Sequence, residues 1–266
     1  MRIIMKIALE EEQIRIKKQY DRFDGYEIHL HGDDRDNFEL AKALNKPITT
    51  VHYPIKRCDV FDIANEYQSD YAKKVFALCK EYDAGLVVHA ETGLQHLQEN
   101  PNLNDFCNFI KENRIRLHVE NCYRTCGAVE GLKVCNYLRD KIGEDLAFPL
   151  LDTCHLMMSE MSFKFEEMSF FATIDAYQSN NFIIHLNDCI GSGEKETGGT
   201  HGTNFYANQY LLWNILWKLE EITKNDRNFD LVLEVDEVDY NYPSNADILA
   251  KNVLRMWDEL LHRNAQ

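Results

Sequence analysis

Leu150-Leu151-Asp152-Thr153-Cys154-His155 reads as the end of a buried strand running into a loop, with an anion and an imidazole three positions apart at its tip. At the mouth of a barrel strand, such a pair makes a metal or substrate position. Three other segments finish in the same manner: Leu117-His118-Val119-Glu120, Ile183-Ile184-His185 and Leu231-Val232-Leu233-Glu234. Each is mostly apolar and closes on a side chain able to bind a cation.

Outward from these ends, the chain alternates strand with helix. Strands are expected over 2–9, 25–31, 47–53, 85–89, 115–120, 148–152, 182–186 and 231–235. Helices are expected over 10–22, 33–45, 61–82, 103–113, 129–142, 165–178, 208–224 and 247–262, with a glycine-rich loop over 191–203. The 61–82 stretch carries Ile63, Tyr67, Tyr71, Val75 and Leu78 on one stripe, and Gly143 follows 129–142 as a stop. Strict alternation implies a parallel sheet with right-handed crossovers. Eight such units favour a single (β/α)8 TIM barrel, one α/β domain over 1–266, ahead of a doubly wound open sheet.

The bulk numbers agree. The 266 residues match the usual length of such a barrel, about 250, and 45% hydrophobic residues supply a core. The 29 basic and 44 acidic residues leave a formal charge of −15, which disfavours broad binding to nucleic acid or an anionic membrane. Met1-Arg2-Ile3-Ile4-Met5 has no signal-peptide pattern and no apolar run reaches a membrane span, so a soluble, cytoplasmic protein is expected. The eight cysteines show no paired CxxC spacing and read as reduced buried thiols.

Active residues of such barrels stand at the C-terminal ends of the strands. In order, those ends are His52, His89, Glu120, Asp152 with His155, His185 and Glu234. A lone histidine or glutamate there is ordinarily a hydrogen-bonded core residue or a solvated charge. Six consecutive strands ending this way are not explained so simply. Converging carboxylates repel one another, and a divalent cation removes that cost. His29 and His31 share one face of the second strand and read as barrel-interior packing, with His31 also able to line a pocket. Trp213 and Trp217, one turn apart, fit either a homo-oligomer face or burial of an outer helix.

Val119-Glu120-Asn121, Asp152-Thr153-Cys154-His155, His185-Leu186-Asn187-Asp188 and Leu233-Glu234 resemble the motifs of the xylose-isomerase-like barrels, a group that includes sugar isomerases, ketose 3-epimerases and endonuclease IV. The resemblance spans nearly the whole chain. It implies that Glu120, Asp152, His185 and Glu234 bind one divalent metal, for which Mn2+, Mg2+, Co2+ or Zn2+ suits the donor set. For the epimerase branch it further implies that Glu120 and Glu234 exchange a proton with a sugar carbon next to a metal-bound carbonyl, with His155 contacting substrate oxygens. His201 and Asp188 join His155 as expected substrate contacts.

The endonuclease IV branch adds histidines that hold a zinc cluster, and His52, His89, His155 and His201 resemble them. Gly199 departs from that pattern, which has an aspartate two residues before the last of these histidines. His52 and His89 therefore stand equally as metal ligands and as the lining of a sugar pocket. The expected activity is a divalent-metal-dependent isomerase or epimerase of a small sugar or sugar phosphate. The alternative is a zinc-dependent endonuclease IV-like enzyme at abasic sites, the one reading with a nucleic-acid partner. Dehydration of a sugar acid is compatible with the same site, and a non-catalytic barrel is the remaining option. No pocket loop follows the first strand, where Leu9 runs straight into Glu10-Glu11-Glu12.

Overall fold

The computed structural model describes residues 1–122, 127–163, 170–190, 200–203, 205–206, 208–223 and 229–263, with backbone alone at 159–163, 189–190 and 200–203. Strands β1 (Arg2–Ile7), β2 (Gly25–His29), β3 (Ile48–His52), β4 (Gly85–His89), β5 (Leu117–Glu120), β6 (Ala147–Asp152) and β7 (Phe182–His185) follow one another along the chain. An antiparallel hairpin, β8 (Asp188–Ile190) with β9 (Thr200–Thr203), precedes the last strand, β10 (Phe229–Leu233). β10 pairs with both β1 and β7, so eight parallel strands close into a barrel in the order β1-β10-β7-β6-β5-β4-β3-β2. This is the single (β/α)8 architecture that the alternation implies.

The described helices are α1 (Glu11–Lys17), α2 (Val60–Glu66), α3 (Asp70–Glu81), α4 (Gly93–Glu99), α5 (Leu103–Asn113), α6 (Gly127–Ile142), α7 (Thr153–Phe163), α8 (Phe170–Ala176), α9 (Gln209–Thr223) and α10 (Ser244–Arg263). They pack their apolar faces on the outside of the barrel in one continuous core. Inside the barrel, Ile4, Val87, Leu150, Ile183 and Val232 form a separate small cluster that floors the mouth. None of the described helices is long and apolar enough to cross a membrane.

Two helix expectations need correction, and two helices lie outside the expected set. The helix over 33–45 is only a 3-10 turn, Phe38–Ala43. Asp36 is the reason: its carboxylate accepts the backbone N–H groups of His31 and Gly32 and the Tyr71 hydroxyl, which holds the chain in a turn instead. The single helix over 61–82 is two, because Ser69 caps a new start by accepting from Ala72 N. Helices α4 and α7 were not anticipated at all, and α7 begins at Thr153 inside the expected loop. Of the helix expected over 165–178, residues 170–176 are helical and 164–169 lie outside the described residues. The glycine-rich loop is likewise outside them at 191–199, and its end forms β9.

Candidate metal centre

The parallel register sets the tips of neighbouring strands side by side: His29 pairs with His52, His89 with Glu120, and Asp152 with His185. Glu234 follows β10 directly, just beyond Val232, which pairs with His185. One potential ligand atom from each of Glu120, Asp152, His185 and Glu234 lies within 4.8 Å of the other three. His185 Nδ1 is 2.8 Å from Glu234 Oε2 and 3.3 Å from Glu120 Oε2. All four side chains are buried.

Glu120 Oε2, His185 Nδ1 and Glu234 Oε2 nevertheless have no hydrogen-bond partner. The contacts are short but lack the direction that an N–H···O bond requires. The far side of the imidazole explains why. His185 Nε2 lies 3.1 Å from Glu27 Oε2, and a carboxylate accepts, so Nε2 carries the hydrogen. Nδ1 then presents a lone pair toward two carboxylate oxygens. Three buried electron-rich atoms around one point repel one another unless a proton or a cation lies between them. The residues therefore fit a divalent ion.

Without a cation, the site must hold protons. Burial pulls the His185 ring down, but the Glu27, Glu120 and Glu234 carboxylates together drive it well above its ordinary range. Burial pushes Glu120 up, yet the His89 and His185 rings and the His155 hydrogen bond bring it well below the usual carboxylate range. Glu234 follows the same logic, lowered by His185 and Lys6 against its burial.

Asp152 is aimed by a clamp of two asparagines. Asn121 accepts from Asp152 N at 2.7 Å and donates to its carbonyl at 3.1 Å. Asn187 Nδ2 donates to Asp152 Oδ2 at 2.9 Å and its carbonyl oxygen accepts from Cys154 N at 3.1 Å. Asp152 Oδ1 accepts from His155 N at 2.5 Å, which starts α7 in the manner of an N-cap. His155 Nδ1 lies 2.9 Å from the Asn121 carbonyl and 3.1 Å from Glu120 Oε1. Burial lowers its ring, but Asp152 and Glu120 raise it to about 10.

His52, His89 and Glu120 make a second group of potential ligand atoms within 4.8 Å. His52 Nδ1 donates to the Tyr53 carbonyl at 2.7 Å, which leaves Nε2 as the acceptor, 3.5 Å from Glu120 Oε2 and 3.2 Å from His89 Nε2. His89 Nε2 is 3.4 Å from the same oxygen. Seven of the nine expected site residues thus meet in one mouth. Asp188 is buried at the start of β8, outside both ligand groups. His201 lies on β9, and its side chain is outside the described residues. His31 turns to Glu10, with Nε2 3.0 Å from Oε1.

Sequence reasoning passed over Glu27 and Lys6. Glu27 is fully buried, bonds His29 Nε2 at 2.7 Å and Thr50 Oγ1 at 2.6 Å, and supports His185. His29 stacks on His52 at 4.6 Å, inside the barrel as expected. Lys6 Nζ stands 3.6 Å from Glu234 Oε1. The signal was a charged residue in the middle of each apolar strand, on the inward-facing alternate positions with Ile4 and with His29.

No family model matches the sequence, and no curated protein sequence matches it. Solved structures do match in fold. A D-tagatose 3-epimerase-like protein superposes with a TM-score of 0.63 at 15% identity, over 98% of this chain and all of that one (100%). A xylose isomerase domain protein from Planctomyces limnophilus gives 0.61 at 10% identity over 98% of both chains. The IolI protein with a bound zinc atom gives 0.58 at 13% identity over 99% of both chains. The chain therefore has the fold of the xylose-isomerase-like TIM barrels.

Proposed function

We propose that the protein is a divalent-metal-dependent isomerase or epimerase of a small sugar or sugar phosphate. The observation that carries this reading is the convergence of Glu120, Asp152, His185 and Glu234 with three of their buried atoms lacking a hydrogen-bond partner. These four residues would hold the ion, which when bound polarises a carbonyl and stabilises negative charge beside it. A zinc-bound relative in fold and an epimerase-like one support the choice.

The chain's own residues would do the proton work. Glu120 Oε2 and Glu234 Oε2 both lie beside His185 Nδ1, at 3.3 and 2.8 Å. One would take the proton from the carbon beside the carbonyl, and the other would return a proton to the opposite face or to the neighbouring atom. Lys6 would offset the charge on Glu234, and His155 would donate to a substrate oxygen.

The test is exchange of substrate hydrogen with solvent. A panel of aldoses, ketoses and their phosphates is incubated in D2O with the metal-loaded chain. The expected result is deuterium at a carbon adjacent to the carbonyl, abolished by chelation and by Glu120→Gln. No exchange across the panel, together with cutting of an abasic-site duplex, would replace this reading with the nuclease one.

A further inference from the structure

We propose that Cys58, His89 and Glu91 form a second cation site, selective for a thiophilic divalent ion such as zinc, beside the four-residue centre. One ligand-capable atom from each lies within 4.8 Å of the other two. Cys58 and His89 are buried, and the Glu91 side chain is 34% exposed, which gives an ion a way in from solvent.

The spacing at which His89 and Glu91 now share a hydrogen bond also suits a metal. His89 Nδ1 stands 3.3 Å from Glu91 Oε1. Two donors each ~2.0 Å from a tetrahedral zinc lie roughly 3.3 Å apart. His89 can serve both sides of the mouth, because its Nε2 faces His52 and Glu120 while Nδ1 faces Glu91. A sulfur ligand completes a Cys-His-carboxylate set with a fourth position for water.

The segments are also held in advance. His89 N donates to the Cys58 carbonyl at 2.7 Å, which fixes the end of β4 against the chain after β3. Asp59 locks the next residues on both sides: Oδ1 accepts from Phe61 N at 2.7 Å and Oδ2 from Thr92 N at 2.6 Å. Glu91 lies between these two anchors. The Cys58 thiol donates to the Ile55 carbonyl at 3.1 Å, and binding a cation would release that proton to solvent. Thiolate makes this site soft, whereas three carboxylates and an imidazole make the neighbouring centre hard. The two would therefore sort different metals.

Cobalt tests this directly, because a thiolate ligand gives Co2+ a near-ultraviolet charge-transfer band that carboxylate and imidazole do not. The chelator-stripped full chain is titrated with Co2+ while absorbance and heat are followed. Two equivalents and a charge-transfer band are expected. Cys58→Ser should lose the band and one equivalent, and keep the other. Glu91→Gln, at a partly exposed position and with its fold checked by circular dichroism, should weaken the band's half-saturation by about tenfold or more. Cys122→Ser, which removes the other thiol beside His89, should retain it. A single equivalent without the band overturns the proposal and leaves the four-residue centre standing. A band that persists in Cys58→Ser also overturns it.

Discussion

Glu27 Oε2 lies 3.1 Å from His185 Nε2, and both side chains are fully buried. This carboxylate fixes the tautomer of the imidazole and turns Nδ1 toward Glu120 and Glu234. Such support from behind a ligand commonly contributes 10–100-fold to metal affinity. Glu27→Gln should therefore weaken binding of Mn2+ by about tenfold or more, read by calorimetry, while circular dichroism stays unchanged. Thr50→Ala removes a bond to the same oxygen and should cost less. Wild-type affinity in Glu27→Gln would show that His185 needs no such partner.

Gly85 makes room for His118. A Cβ built at Gly85 would overlap the His118 ring, and that ring is held from the other side by Phe148 at 5.5 Å. The ring is buried, so the clash falls inside packed structure. Gly85→Ala should destabilise the fold by about 1–3 kcal/mol, the usual range for overpacking. The double variant Gly85→Ala with His118→Ala should cost less than the sum of the two single changes, read from urea midpoints. Additive losses would place the clash elsewhere.

Lys17 is buried under Tyr240 and donates to Gln13 Oε1 at 2.8 Å and to the Lys6 carbonyl at 3.1 Å. Burial, and then repulsion from Lys6, bring its ammonium from 10.5 to about 8. Between these values the unfolded chain binds the proton and the folded one does not, so this residue's contribution to stability rises with pH. The cost of the buried charge is complete below pH 8 and gone above pH 10.5. The stability gap between wild type and Lys17→Met should move in the wild type's favour by up to about 3 kcal/mol across that window. A gap that does not change with pH contradicts the assignment.

Most of the barrel was legible because its strands are short apolar runs separated by amphipathic helices, and its tips were legible because six of them end on His, Glu or Asp. The second helix was not, since nothing in the local pattern says that Asp36 will spend its carboxylate on the backbone at His31 and Gly32. Helix α7 was hidden because Asp152 both ends a strand and accepts the His155 amide that begins the helix. Glu27 and Lys6 were missed for another reason: a charge inside an apolar strand has meaning only when its partners, His185 and Glu234, come from strands far along the chain. The Asn121 and Asn187 clamp on Asp152 is of the same kind.

The central claim is that Glu120, Asp152, His185 and Glu234 bind one hard divalent cation. The most direct measurement is calorimetric titration of the chelator-stripped chain with Mn2+, which a thiolate site takes up poorly. The account predicts one equivalent bound and a thermal midpoint that rises with Mn2+ concentration, both lost in a folded Asp152→Asn chain. No binding of Mn2+, or binding that Asp152→Asn leaves unchanged, would contradict it.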